Sequence, residues 1–362
     1  MSTVHCLEQR RDDLARTRTD SRPAEPLADG EVRLRVERFA LTANNVTYGV
    51  IGDLLGYWNF FPAEEEGWGR IPAMGWAELV ESAHPEIETG GRYYGWYPMA
   101  TECTVAATPT GSGIRDESAH REGQAPVYRS FAATDLDPLY AAGADAEDRH
   151  ALLRGLFATA FVADEYFAER DYLGAGTVVV LSASSKTAIG FAQRAAARGL
   201  ERVVGLTSAA NAAFVESLGY YDEVLAYDQI DRIPDGADAV SVDLAGNGPL
   251  LELVHRRLGE RLKHSMVIGM SHHDAPRGGV SAGPEPVLFF APAEIQKRAE
   301  EWGAERYGEL LASALGEFVA GSRGWLAIER CHGPDAAARA YRDLFAGSIP
   351  PSKGLIVSLH ES

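Results

Sequence analysis

The chain of 362 residues is long enough for two domains, each with its own core, and its 46% hydrophobic content is ordinary for a globular protein. A formal net charge of -18 without a long basic block argues against a nucleic-acid partner. No run of about eighteen apolar residues lacks charge or glycine, and the charged "MSTVHCLEQRRDDLARTRTDSRP" has no leader-like apolar core, so neither a membrane span nor secretion is expected.

Residues 1 to about 130 read as mostly strand. "GEVRLRVERFALT" (30–42) alternates Val32, Leu34 and Val36 with Glu31, Arg33 and Arg35, the pattern of a half-buried strand. "WAELVES" (76–82) and "YYGWYPMATECTVAA" (93–107) read the same way. Between the first two lies "NNVTYGVIGDLLGYWNFFPAEEEGWGRIPAMG", whose Gly, Pro and aromatics predict a loop-rich, barrel-like lobe. "ATPTGSGIRDESAHREGQAP" (107–126) predicts an exposed excursion. Residues 145–170 predict a helix, with Leu152, Leu153, Leu156, Phe157, Ala160 and Phe161 at helical spacing.

Strand and helix then alternate. "TVVVLSA" is a buried strand, "KTAIGFAQRAAARG" a helix, "RVVGLTS" a second strand, "AANAAFVESLG" a second helix and "EVLAYD" a third strand. "DAVSVDLAG" and "HSMVIGM" follow, separated by "GPLLELVHRRLGE". These lengths predict βαβ units and a doubly wound parallel sheet, an α/β fold. The remainder predicts helices at 293–302 and 304–320, a strand at 325–330, a helix at 334–346 and a last strand, "GLIVSLHE".

The loop after the first βαβ strand is "SASSKTAIG" (182–190), nearly without glycine. In a dinucleotide-binding unit this loop aims backbone N–H groups at a pyrophosphate. With Gly190 taken as the last glycine of G-x-G-x-x-G, the middle position is Thr187 and the first is Ser185. Ser184, Ser185 and Thr187 can donate hydroxyls to phosphate oxygens, and Lys186, one of four lysines, adds a cation. A P-loop fits worse, because Val180 and Ser185 stand where its glycines belong. A short-chain reductase fits worse too, because no Tyr precedes a Lys by four residues. A strand–turn–helix packed for stability, without ligand, stays open.

The second strand ends at Thr207-Ser208 with no acid. A carboxylate there would accept from the adenosine ribose and repel a 2′-phosphate, so Thr207, Ser208 and Asn211 favour NADP(H) over NAD(H). Ser208 also reads simply as a helix cap. Cys6, Cys103 and Cys331 form no CxxC pair and cannot make a four-thiolate zinc site, which fits a reducing cytoplasm.

The order of a β-rich lobe, a Rossmann unit and a returning strand resembles the medium-chain dehydrogenase/reductase superfamily, in its zinc-independent quinone-oxidoreductase-like branch. More narrowly, the chain resembles a bacterial group within it of unknown function. "GGRYYGWYPMATECTV", "RIPAMGWAELVES", "DAVSVDLAGNG" and "DLFAGSIPPSKGLIVSL" carry the resemblance along with the nucleotide stretch. It implies a GroES-like catalytic lobe over 1–140, a Rossmann NADP-binding domain over 141–305, and a return segment over 306–362 packing on the lobe. Zinc-dependent members have Cys in the first catalytic loop and Gly-His-Glu later. Here "LTANNVTYG" lacks Cys and Gly75-Trp76-Ala77 places Trp where the His belongs, so no metal is expected.

The resemblance further implies that Ser184 to Thr187 meet the pyrophosphate, and that Thr207, Ser208, Asn211 and Tyr227 meet the 2′-phosphate. Gly269 and Met270 would lie near the nicotinamide ribose, and Lys353 would reach the cofactor. Without zinc, a hydroxyl or amide must polarise the substrate carbonyl, or solvent must supply the proton. Asn45, Tyr48 and Tyr57 are the candidates, with Trp58, Phe60 and Phe61 as an apolar wall or as core. The expected activity is hydride transfer to or from a small enone, quinone or ketone. A dinucleotide-binding protein without turnover, or an enzyme whose cofactor is cycled or structural, stays open. A homodimer would pair late Rossmann strands, from "HSMVIGM" to "PVLFFAP".

Overall fold

The computed structural model describes residues 2–270, 272–276 and 278–361. Two compact units emerge, one of Met1–Leu152 with Leu326–Ser362, the other of Leu153–Trp325. In the first, β1 (Thr3–Arg10) pairs antiparallel with β2 (Thr17–Pro23). The charged N-terminus gave no strand pattern because Glu8 and Gln9 are buried along with Val4, Cys6 and Leu7. Arg18 explains how: it donates to Glu8 and lies 4.1 Å from the ring centre of Trp68.

Next come β3 (Glu31–Leu41), helix α1 (Ala43–Val50), β4 (Trp68–Gly69), β5 (Pro72–Ser82), β6 (Arg92–Pro98), β7 (Glu102–Thr110) and β8 (Gly113–Asp116). Helix α2 (Pro126–Arg129) and β9 (Ser130–Ala133) follow. Strands run β3-β5-β6-β9-β8-β7, and β7 pairs back onto β3, so six strands close a barrel with no free edge. Val32, Leu34 and Val36 are its inward row on β3, each at most 1% exposed. Gly75 sits where β5 crosses β3, since a Cβ there would lie 2.3 Å from the Arg38 carbonyl oxygen.

Three local expectations are corrected. The aromatic stretch opens with α1 rather than running as loop, because Thr42 and Asn45 cap its N-terminus reciprocally. The 93–107 strand is broken at Met99–Thr101 into β6 and β7. The 107–126 excursion is a β7–β8 hairpin that turns inward, leaving Asp116 and Arg121 each 0% exposed. The Arg121 guanidinium donates to the carbonyls of Phe60 and Tyr128 and lies over the rings of Phe60 and Phe61. Much of the segment is exposed, as expected, with Asp116 and Arg121 as its buried charges.

Helix α3 (Ala144–Ala168) leads into the second unit. There β10 (Thr177–Leu181), α4 (Lys186–Ala197), β11 (Arg202–Thr207), α5 (Ala212–Ser217) and β12 (Glu223–Ala226) form the first half of a sheet. β13 (Ala239–Asp243), α6 (Gly248–Leu258), β14 (Leu262–Val267) and β15 (Val287–Leu288) form the second. All pairings are parallel, in order β12-β11-β10-β13-β14-β15. Counted within the unit this is the 3-2-1-4-5-6 winding of a Rossmann fold, reversing between β10 and β13. Every residue of β10 is buried, as an apolar run covered on both faces should be. Helices α7 (Ala291–Trp302) and α8 (Ala304–Ser322) complete the unit.

The chain then returns to the first unit. β16 (Ala327–His332), α9 (Pro334–Phe345) and β17 (Lys353–Ser358) form a right-sized crossover, with β17 antiparallel to β3. The return thus begins at 326, not at 306 as expected, because α8 packs with the Rossmann unit. No helix among the described residues is long and apolar enough to cross a membrane.

Candidate functional site

In the second unit the chemistry gathers at the carboxyl ends of the parallel strands. β10 ends at Leu181, and Ser182 follows with φ 58°, the left-handed region that favours glycine. Ser185, at φ -72°, caps α4, its Oγ accepting from the Ala188 N–H at 3.3 Å. This shifts the expected glycine register. The glycine-like position is Ser182 rather than Ser185, and Thr187 lies inside the first helical turn. Gly190 instead faces α3, where a Cβ would sit 3.0 Å from Phe157.

The loop Ser182–Ser185 therefore opens onto the first turn of α4, whose N–H groups lack intrahelical acceptors and carry the positive end of the helix dipole. Lys186 is half-buried there, and loss of hydration pushes its ammonium down to about 8. Ser184 is joined to the end of the second strand: Asn211 Nδ2 donates to its Oγ at 3.2 Å. Asn211 closes a turn onto the Ser208 carbonyl at 2.9 Å, so Ser184, Ser208 and Asn211 share one patch. Thr207, also expected there, is 1% exposed and its hydroxyl has no hydrogen-bond partner.

Tyr227 follows β12. Its hydroxyl is hydrogen-bonded to Ser182 and lies 3.4 Å from His272 Nε2, while burial, with the nearby Asp243 charge, pushes it up to about 12. Gly269 and Met270 follow β14 and pack against the turn after β13. A Cβ on Gly246, at φ 64°, would meet the Gly269 carbonyl oxygen at 2.9 Å. Lys353 belongs to the first unit, where its Nζ pairs with Glu329 at 2.6 Å.

Sequence reasoning passed over Asp243, the last residue of β13, next to Leu181 in register. Its Oδ1 accepts from the N–H groups of Ala245 at 2.7 Å and Gly246 at 3.1 Å. Its Oδ2 is buried without a hydrogen-bond partner, and burial raises the carboxyl to about 6. An acid ending a buried strand, in "SVDLAG", was the available signal. His272, outside the candidates drawn from sequence, is half-buried, with Nδ1 3.2 Å from Asn247 Nδ2, and burial lowers its pKa.

In the first unit the catalytic candidates meet in an aromatic cluster. Tyr48, on α1, accepts from Trp96 Nε1 at 3.2 Å and bonds the Asn44 side chain. Its ring centre lies 4.6 Å from that of Tyr57, whose hydroxyl is 3.3 Å from that of Tyr128. Burial raises all three phenols, so they stay protonated and act as hydrogen-bond donors, not bases. Tyr128 was not anticipated; it comes to Tyr57 across 71 positions of sequence. Asn45 has a different task. Its Oδ1 accepts from the Thr42 N–H at 2.7 Å and its Nδ2 donates to the Pro72 carbonyl at 2.8 Å. Trp58, Phe60 and Phe61 are buried.

Trp76 is 0% exposed, donates from Nε1 to the Glu147 carbonyl at 3.0 Å, and packs edge-on to Tyr94 and Tyr140. The indole thus fills the position where the resemblance places a zinc-ligating histidine.

A closed six-stranded barrel with a parallel 3-2-1-4-5-6 sheet defines a GroES-like lobe joined to a Rossmann domain. Solved structures share it along their whole length. CurA from Vibrio vulnificus, in complex with NADPH, is 16% identical, covering 100% of both chains with a TM-score of 0.60. The Etr1p complex with NADP and crotonyl-CoA is 13% identical, covering 99% of this chain and 100% of that one, with a TM-score of 0.61. A mutant enoyl thioester reductase from Candida tropicalis is 13% identical over 99% and 100% of the two chains, with a TM-score of 0.56. No curated protein sequence matches. The chain belongs to the DUF2855 family of proteins of unknown function, whose profile matches residues 39–350.

Proposed function

We propose that the protein is an NADP(H)-dependent, zinc-independent oxidoreductase of the medium-chain dehydrogenase/reductase type, acting on a small enone, quinone or ketone. The observation that carries this reading is a pair of orphaned buried groups. Thr207 Oγ1 and Asp243 Oδ2 lack hydrogen-bond partners at the ends of the two strands flanking β10, on either side of the Ser182 loop. Buried polar atoms without partners are costly, and such a pair around an anion-ready helix start fits a dinucleotide.

NADPH would supply the hydride. Ser184, Ser185 and the first-turn N–H groups of α4, with Lys186 and Thr187, would hold its pyrophosphate. Ser208 and Asn211 would donate to the 2′-phosphate, with Thr207 behind them. Gly269 and Met270 would give close backbone approach to the ribose. The complexes of CurA with NADPH and of Etr1p with NADP support this choice. Tyr48 or Tyr57, kept protonated by burial, would donate to a substrate carbonyl. Asn45 would hold the start of α1 and so position Tyr48 one turn on. Trp76 supports chemistry without zinc, since its indole occupies the ligand's place.

The same reading includes a homodimer through the edge strand β15, whose Val287 and Leu288 are 48% and 58% exposed, and a cytoplasmic location. A second reading, dinucleotide binding without turnover, is favoured by Ser182, since a side chain in the left-handed region replaces a glycine. Loss of NADPH absorbance in the presence of an enone, quinone and ketone panel separates the two. Turnover with any member supports the first; binding without turnover supports the second.

A further inference from the structure

The loop Ser182–Ser185 is tied down from outside its own turn. Its two neighbours in the sheet set the constraint. The Leu181 carbonyl accepts from the Leu244 N–H at 3.4 Å on the β13 side, and the Ala183 N–H donates to the Leu206 carbonyl at 2.9 Å on the β11 side. Ser182, between them, turns the chain at φ 58°, and its carbonyl accepts from the Ser185 N–H at 2.9 Å. An L side chain is crowded in that conformation, whereas glycine adopts it freely. Apart from Asp171, Tyr172 and Leu173, no other non-glycine residue among the described residues has a positive φ.

Backbone in an unfavoured region persists where its surroundings over-determine it, and three side chains do so here. Tyr227, just after β12, is hydrogen-bonded through its hydroxyl to Ser182. Tyr221 donates to the Ala183 carbonyl at 2.9 Å, and Asn211 donates to Ser184 Oγ. Gly205 on β11 leaves room for the Tyr221 ring, since a Cβ there would lie 2.8 Å from it. Tyr227 is itself fixed. Asn247 caps α6, its Oδ1 accepting from the Leu250 N–H at 3.2 Å, which turns Nδ2 toward His272 Nδ1. Nδ1 therefore accepts, and the ring proton sits on Nε2, facing the Tyr227 oxygen at 3.4 Å. The His272 N–H donates to the Ala245 carbonyl at 2.8 Å, and its ring meets that of Tyr227 edge-on.

We infer, resting on the reading that this loop holds a dinucleotide pyrophosphate, that Tyr227 and Tyr221 are positioning residues for it. They hold from outside the backbone shape that glycines supply in a G-x-G-x-x-G turn. His272 steadies Tyr227. The task of Tyr227 then concerns the part that NADPH and NADH share, apart from any contact with a 2′-phosphate.

Calorimetric titration of the full chain with NADPH and NADH, beside ligand-free thermal unfolding, tests this on Tyr227→Phe and Tyr221→Phe, each alone and combined with Ser182→Gly. Each tyrosine variant should weaken both dinucleotides by a common factor of about fivefold, the worth of one hydrogen bond. His272→Phe should weaken both by a smaller common factor, about twofold. Ser182→Gly should restore most of the affinity and thermal midpoint lost in Tyr227→Phe, because glycine holds a positive φ unaided. It should restore nothing in Tyr221→Phe, whose partner Ala183 has no positive φ. A loss confined to NADPH would overturn the inference and put Tyr227 at the 2′-phosphate. Unchanged affinity in both tyrosine variants, rescue of neither, or equal rescue of both would overturn it with dinucleotide binding intact. A wild type that binds neither dinucleotide would remove the pyrophosphate reading and this inference with it, and the midpoints would then show separately whether Tyr227 holds Ser182.

Discussion

Replacing Asp243 with Asn tests the reading of the strand ends where it is most exposed. The carboxyl sits at about 6 in the folded chain against 3.8 for the ordinary group. Well below 3.8 it is protonated in both folded and unfolded states and affects stability equally. As pH rises, the unfolded chain releases the proton first, so stability falls through the window from 3.8 to about 6 and is flat above it. A difference of about 2 units corresponds to about 3 kcal/mol at neutral pH. Asn keeps the oxygen that accepts from Ala245 and Gly246 and cannot ionise, so the variant lacks this loss. Urea unfolding of wild type and Asp243→Asn at pH 5, 6, 7 and 8 reads the difference directly. The advantage of the variant should grow by about 1.4 kcal/mol between pH 5 and pH 8, most of it below pH 7. For a unit of this size that is a relative shift of about 3–6 °C in thermal midpoint. Parallel pH profiles would refute the claim that Asp243 is buried with an unpaired oxygen.

Lys186→Ala should weaken NADPH and NADH alike, by about tenfold, since the ammonium would meet the shared pyrophosphate; calorimetry at pH 7 measures both. Wild-type affinity should also fall as pH rises through about 8, where the ammonium loses its charge, and the Ala variant should not follow. Ser208→Asp, at a half-buried rather than fully buried position, should shift preference from NADPH toward NADH by about tenfold or more; an unchanged ratio of dissociation constants would remove Ser208 from the 2′-phosphate. Trp76→Ala should cost about 3–5 kcal/mol of stability, seen in denaturant midpoints, because it empties a fully buried site and removes the indole hydrogen bond to the Glu147 carbonyl.

Regular elements were legible where burial follows a period. β10 is an unbroken apolar run, β3 alternates, and the βαβ lengths foretold a parallel sheet. What failed did so for tertiary reasons. Arg121 and Asp116 read as solvent-facing because charge says nothing about the carbonyls and rings that receive a guanidinium. Ser182 gave no sign of a positive φ, since the glycines that normally announce it are absent, and the register slipped to Ser185. Asn45 was legible as a polar residue near the right helix, but its amide serves the helix start and β5. Tyr128 and His272 meet partners 71 and 45 positions away, a separation that no local pattern encodes.

The central claim is that the glycine-poor loop after β10 holds an NADP pyrophosphate. Thermal unfolding of the full chain with NADPH, NADP+, NADH and ATP tests it most directly. A ligand at about a hundred times its dissociation constant adds about 2.7 kcal/mol of stability. The account predicts a shift of several degrees with NADPH and NADP+, a smaller one with NADH, and none with ATP. A shift with ATP alone, or no shift with any of the four, would contradict it.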